Sequence, residues 1–229
     1  MKLPTQKECL DYFTEYKVPD NIFRHCCQVR KVAVFLARQL QQKQVPINVE
    51  FVSCLGYFHD LCKMIVLKDF VANEFHKDAI ATAEQKEFWK EMQKKYPDHY
   101  EGEMAYELFK DKYPELALAL RSVSSPKNQD PSWEQLIVHY ADLRVLREKV
   151  VLVSERLAYL RQRYPRSDEL WSKHEQKLRL QEQEIFSKLS FVPDQLAEEI
   201  EKDMNLKDMN LNMKINKSSK TSSTVQHGQ

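Results

Sequence analysis

Glycine is nearly missing from this chain: Gly56, Gly102 and Gly228 are the three in 229 residues. A fold of many tight hairpins needs more residues that accept left-handed backbone, so a β-rich architecture is excluded. Charge excess is missing too, since the net charge is +1 although charged residues make up 30% of the chain. That balance leaves no whole-chain footprint for nucleic acid, and none is expected as a partner. No stretch approaches the roughly 18 apolar residues that span a bilayer, and Met1-Lys2-Leu3-Pro4-Thr5 carries no apolar signal region. A cytoplasmic protein without a membrane partner is therefore expected. A disulfide framework is also not indicated. The five cysteines are an odd number and all lie in the first third. Cys26, Cys27, Cys54 and Cys62 fall in apolar helical stretches and read as reduced thiols that fill the core. Cys26 and Cys27 do not make a zinc pair, because adjacent residues on a helix point apart.

What is present is helix-forming sequence, with Leu, Glu, Lys, Gln and Ala abundant. Thr5-Gln6-Lys7-Glu8 is a capping box that opens a first helix to about Tyr16. Pro19-Asp20 opens a second, whose apolar positions Ile22, Phe23, Val29, Val32, Ala33, Leu36, Ala37 and Leu40 follow the helical period. Asn48 caps a third, which carries Phe51, Val52, Cys54, Leu55 and Phe58 and then His59 and Asp60. The polar stretch with Asp69, Glu74, His76 and Asp78 reads as a loop or short helices near the mouth of any site, with Glu74 and His76 at the surface. Thr82-Ala83-Glu84-Gln85 caps a helix to about Lys95, and further helices follow from near His99 and from Pro114 to about Val123. After a loop from Ser124 to Pro131, an apolar helix with Trp133, Leu136, Ile137, Tyr140 and Val145 holds Asp142 and is restarted or continued by Ser154-Glu155-Arg156. Ser167 caps a long charged helix to about Leu189, and Pro193-Asp194 opens a short last one. Beyond Lys202 the pentad Lys-Asp-Met-Asn-Leu repeats at Lys207, and polar residues dominate. Such a tail is expected to be disordered, because it buries too little apolar area to offset its ordering entropy.

Chemistry concentrates where ligand-type side chains interrupt apolar helical faces. Burying an unpaired Asp costs about several kcal/mol, so Asp60 needs a cation beside it, and Lys63 or a metal can serve. His25 sits at the edge of the second helix's stripe. Asp142 is flanked by Tyr140, Ala141, Leu143 and Val145, a poor place for an unpaired charge. Helical bundles build metal sites from such inward-pointing residues on different helices. Two histidines and two aspartates suit Mn, Fe, Co, Ni or Zn better than Ca, which prefers oxygen ligands. His139, three residues before Asp142, is assigned to packing.

The order of His25, then Gly-Tyr-Phe-His59-Asp60-Leu-Cys-Lys63, then Tyr-Ala-Asp142 resembles the HD-domain metal-dependent phosphohydrolases. The segment His99-Tyr-Glu-Gly102-Glu-Met-Ala105 is similar to the family's His, Gly, Ala segment, and Ser154-Glu-Arg156-Leu is similar to an extension of some bacterial and archaeal members. The resemblance covers about residues 5–165. It implies an all-α helical bundle in which His25, His59, Asp60 and Asp142 bind one divalent transition metal. Family members with two metals add two histidines before the last Asp; His99 matches the first, but near Val123, where the second is due, the chain offers Arg121-Ser122-Val123-Ser124, so one metal per chain is favoured. The residues after His59-Asp60 are Leu61-Cys62 rather than the family's usual Ile-Gly. The implied activity is hydrolysis of a phosphoester of a nucleotide or similar small substrate by a metal-activated water. A phosphomonoesterase is favoured over a phosphodiesterase, and the alternative is a non-catalytic nucleotide-binding or scaffold protein that keeps the metal. Asp60, His99 and Lys63 are the candidate catalytic residues. Lys63, Arg144 and Arg156 are the candidates for neutralising substrate phosphate. The expected organisation is an HD-type domain over 1–165, a helical extension over 166–202 packed on it or projecting from it, and a disordered tail over 203–229. Its charged helix is a solvated face or a contact between identical copies.

Overall fold

The computed structural model describes residues 1–67, 81–123, 125 and 128–205. Expectations placed on Asp69, Glu74, His76 and Asp78, and on the tail beyond residue 205, lie outside the described residues. The described chain is all-α apart from one two-residue hairpin. Its elements are α1 (Gln6–Glu15), α2 (Asp20–Gln42), α3 (Val49–Phe58), α4 (Lys63–Val66), α5 (Ala83–Lys95), α6 (Glu101–Phe109), α7 (Pro114–Ser122), α8 (Trp133–Leu143), β1 (Val145–Leu146), β2 (Lys149–Val150), α9 (Val153–Arg163) and α10 (Asp168–Phe186). No helix among the described residues is long and apolar enough to cross a membrane.

Local chemistry sets the helix starts. The Thr5 hydroxyl accepts from the Glu8 amide at 3.2 Å while the Glu8 carboxylate accepts from the Thr5 amide at 2.8 Å, which satisfies two otherwise orphaned donors. Thr82 with Gln85 and Ser132 with Gln135 repeat the device, and Asn48 accepts from the Phe51 amide.

One compact unit runs from Met1 to Ser190 and takes in α10. At its centre α2 packs on α3 and α8, and α3 packs on α8 and α7. Val29, Val32, Ala33, Leu36 and Leu40 of α2 are fully buried, as are Val52, Leu55 and Phe58 of α3 and Ile137, Tyr140 and Ala141 of α8. Each large apolar side chain so buried contributes roughly 1.5–3 kcal/mol. Gly56 permits a close approach of α3 to α2: a Cβ there would stand 3.0 Å from the Arg30 Cα. Phe58 stacks on Phe109 of α6 with ring centroids 4.8 Å apart, and Tyr12 of α1 meets both rings edge-on, which ties α1, α3 and α6 together. A second compact unit begins at Phe191, with a 3₁₀ turn over Pro193–Gln195 and a helix over 196–205. Residues 203–205, expected in the tail, are helical.

Two elements differ from the sequence-based expectation. Helix α3 ends at Phe58, so His59 and Asp60 lie in the turn that follows it rather than on the helix. The bonds there tighten from i−4 to i−3, with Leu61 N donating to Phe58 O and Lys63 N to Asp60 O. Helix α8 ends at Leu143 and gives way to the β1–β2 hairpin, which pairs Val145 with Val150 and Leu146 with Lys149. Arg147 at its tip has φ 57°, a left-handed conformation uncommon for a side-chain-bearing residue.

Candidate metal centre

His25 projects from the first turns of α2, His59 and Asp60 from the turn after α3, and Asp142 from the last turn of α8. The fold brings all four together. His25 Nε2 is 3.0 Å from Asp142 Oδ1 and 3.9 Å from Asp60 Oδ2. His59 Nε2 is 3.9 Å from both Asp60 Oδ1 and Asp142 Oδ1. Ligands about 2.1 Å from one ion stand up to about 4.2 Å apart, so every one of these separations is within the span of a shared metal. His25, His59 and Asp142 form the tightest group, each offering an atom within 4.8 Å of the others.

The imidazoles are oriented for ligation. His59 Nδ1 donates to the Gly56 carbonyl at 2.9 Å and His25 Nδ1 to the Arg147 carbonyl at 3.1 Å. In His59 a proton committed to Nδ1 leaves Nε2 of the neutral ring free to ligate, whereas His25 Nε2 is hydrogen-bonded to Asp142 Oδ1 at 3.0 Å and would give up that proton on binding a metal. The left-handed backbone at Arg147 therefore has a use, because the residue at the hairpin tip presents its carbonyl to His25. His59 Nε2 is buried and has no hydrogen-bond partner among the described residues. An orphaned imidazole nitrogen facing two carboxylates fits a divalent transition metal.

Electrostatics reinforce this. Burial would raise the Asp142 carboxyl, but the His25 hydrogen bond, Arg156 and the two histidines hold it well below the usual range. Burial likewise opposes ionisation of Asp60, and Lys63 with His59 and His25 outweighs it. The Lys63 ammonium bonds Asp60 Oδ2 directly. Burial disfavours the Lys63 charge, yet Asp60, Glu101 and Asp142 together raise its pKa. Arg156 of α9 is buried, with Nη2 3.6 Å from Asp142 Oδ1.

Lys63 and Arg156 thus stand beside the centre, each on a carboxylate of the ligand set. Arg144 does not. It is 1% exposed, donates from Nε to Val151 O at 2.6 Å and from Nη1 to the Tyr140 hydroxyl at 2.5 Å, and lies 3.7 Å from Glu182. The expected contact with substrate phosphate is corrected to a structural role. At 100° per residue, Arg144 lies about 200° around α8 from Asp142 and faces α10 instead. His99 is held locally, with Nδ1 3.0 Å from Pro97 O and its ring against Tyr96. His139 turns to α10 and bonds Gln181 at 3.0 Å.

One site residue escaped the sequence reading. Glu101 opens α6, and its Oε1 is buried without a hydrogen-bond partner among the described residues. Burial pushes its carboxyl well above the usual range, and the charges of Asp60 and Asp142 push it the same way against Lys63. Glutamate in a first turn ordinarily faces solvent and the helix dipole, so its type gave no signal. The hint lay next door. A Cβ on Gly102 would stand 2.7 Å from Arg121 O, so α6 is pressed onto α7 there.

The chain matches no protein-family model, no curated protein and no protein of solved structure.

Proposed function

We propose that this protein is a metal-dependent phosphohydrolase of the HD-domain type, acting on a small phosphomonoester. The observation that carries the reading is the convergence of two carbonyl-anchored imidazoles and two carboxylates, with Lys63 and Arg156 adjacent. His25, His59, Asp142 and Asp60 would hold one divalent transition ion. Such an ion, when bound, lowers the pKa of water and polarises a phosphoryl oxygen. The chain's own groups would do the rest. Lys63 and Arg156 offset phosphate charge, and the Gly56 and Arg147 carbonyls keep both imidazoles in the ligating tautomer. His99 or Glu101 supplies the proton for the leaving oxygen. A nucleotide as substrate and a cytoplasmic location are parts of the same proposal.

A second reading has one observation in its favour. Lys63 and Arg156 are both engaged on ligand carboxylates, as suits a static metal site in a scaffold protein. Hydrolysis of p-nitrophenyl phosphate and nucleoside monophosphates with Mn, Co or Ni separates the two. Turnover by wild type that is lost in a folded Asp60→Ala variant supports the enzyme. Metal-loaded protein with no turnover on either substrate class supports the scaffold.

A further inference from the structure

A cavity of about 430 Å³ lies between α1, α2 and α3, and none of the metal-centre residues is on its wall. That size falls within the range of small-molecule sites. Arg30, Val34 and Arg38 of α2 line it, with Glu50, Ser53 and Tyr57 of α3. Arg30 comes five positions after His25, about 140° further round α2, so the cavity and the centre use different faces of that helix.

Arg30 is half-buried and is held without a carboxylate. Its Nε donates to Ser53 Oγ at 2.7 Å, and its guanidinium lies 4.6 Å from the Tyr57 ring centroid. Ser53 and Tyr57 stand one turn apart on α3, so one holds the group by an edge and the other by a face. No acceptor among the described residues takes its two Nη groups. A guanidinium fixed on an aromatic ring keeps its in-plane donors for a bidentate anion. Arg38 follows about 12 Å along α2 and about 80° round from Arg30. It is exposed and has no ion pair among the described residues. Glu50 is the acidic group of this wall; it too is exposed, and among the described residues it is ion-paired with neither arginine. The wall therefore carries two cations against one carboxylate, with the better-ordered cation lacking a counter-charge.

We propose that this cavity binds a small phosphorylated molecule that also bears hydroxyl groups, at a site distinct from the metal centre. The Nη groups of Arg30 take two phosphoryl oxygens as a fork, and Arg38 supplies the second positive charge. A phosphate monoester carries about −1.5 to −2 at pH 7, which two guanidiniums match and a single carboxylate would not. Glu50 accepts from a hydroxyl of the ligand, and Val34 meets its carbon body. Glu50 also repels bare phosphate, which gives the organic ester its advantage. This inference does not rest on the proposed hydrolysis.

The test is calorimetric titration of the full-length protein with ribose 5-phosphate, inorganic phosphate and ribose as probes. Wild type is run beside Asp60→Ala, in which turnover at the metal centre cannot consume the probe. The expected result is one saturable site per chain for ribose 5-phosphate, with equal affinity in both proteins, weaker binding of phosphate and none of ribose. Arg38→Ala and Arg30→Lys should each weaken ribose 5-phosphate by about tenfold, the second because an ammonium keeps the charge and loses the fork. Glu50→Gln should narrow the preference for ribose 5-phosphate over phosphate. Absence of saturable binding, an affinity that falls in Asp60→Ala, or one unchanged by Arg38→Ala would overturn the proposal. Phosphate binding as tightly as ribose 5-phosphate would overturn the role of Glu50 and with it the organic ligand. Arg38 and Glu50 are exposed, so their variants decide the matter even where Arg30→Lys fails to fold.

Discussion

Replacing Arg144 distinguishes a structural cation from a phosphate-binding one. The side chain is 1% exposed and bridges α8 to the segment before α9 through Val151 O, while Tyr140 links it to Glu182 of α10. Arg144→Ala removes two charge-assisted hydrogen bonds and withdraws a cation from Glu182, which is itself 9% exposed. Breaking a buried pair from one side costs about 3–5 kcal/mol. The lower end applies, because Glu182 keeps the Tyr140 hydroxyl at 2.7 Å and Arg179 at 3.3 Å. A loss of about 3 kcal/mol lowers the midpoint of a unit of this size by about 6–12 °C. Arg144→Lys keeps the charge but cannot reach Val151 O and Tyr140 together, and should cost about 1–2 kcal/mol. Urea unfolding gives both numbers, with an unchanged m-value as the check that the denatured state is the same. Stability within about 1 kcal/mol of wild type for Arg144→Ala, joined to a raised KM for a phosphate ester, would refute the reasoning and return Arg144 to the substrate.

Three further outcomes follow from the geometry. Glu101 has a raised folded-state pKa, so above the unfolded value of about 4.3 the folded state keeps a proton that the unfolded state has lost, and stability falls as pH rises. Glu101→Gln should therefore be more stable than wild type at pH 7 in EDTA, with the gain vanishing near pH 4; a less stable variant at pH 7 would mean that Glu101 is ionised and paired. Asp142 has the opposite sign: its contribution is present above about pH 3.9 and lost as pH falls through its depressed folded value. Metal-free Asp142→Asn should be less stable than wild type at pH 7 and converge with it in acid, and a constant difference across pH would contradict the pairing with His25 and Arg156. Gly56→Ala places a Cβ 3.0 Å from the Arg30 Cα, and the forced separation of α2 and α3 should cost about 1–3 kcal/mol in urea unfolding.

Much of the helical frame was legible because it is local. Thr5, Asn48, Thr82 and Ser167 each announce a helix start through a side chain that binds a nearby amide. The four candidate ligands stood out because each breaks an apolar run with a group that burial penalises. What escaped the reading is decided by contacts distant in sequence. Arg144 caps the C-terminal end of α8 two residues after Asp142, and only its placement against α10 turns it away from the centre. His99 precedes the first turn of α6, so the backbone around Asp98, with φ 59°, sets its direction rather than a helical period. Glu101 matters because α6 lies against the centre, which its own composition does not disclose. The end of α3 at Phe58 reflects the tighter turn that carries both His59 and Asp60, and His59 Nδ1 takes the Gly56 carbonyl there.

Metal content of protein purified without chelator or metal-affinity tag tests the central claim most directly, with wild type beside Asp142→Ala and His59→Ala. The account predicts about one transition-metal ion per chain in wild type and a loss of it in both variants, each still helical by circular dichroism. Wild type that holds no metal after reconstitution with Mn, Fe, Co, Ni or Zn would contradict it. The four residues would then be a buried network in which a doubly protonated His25 bridges Asp142 and the Arg147 carbonyl.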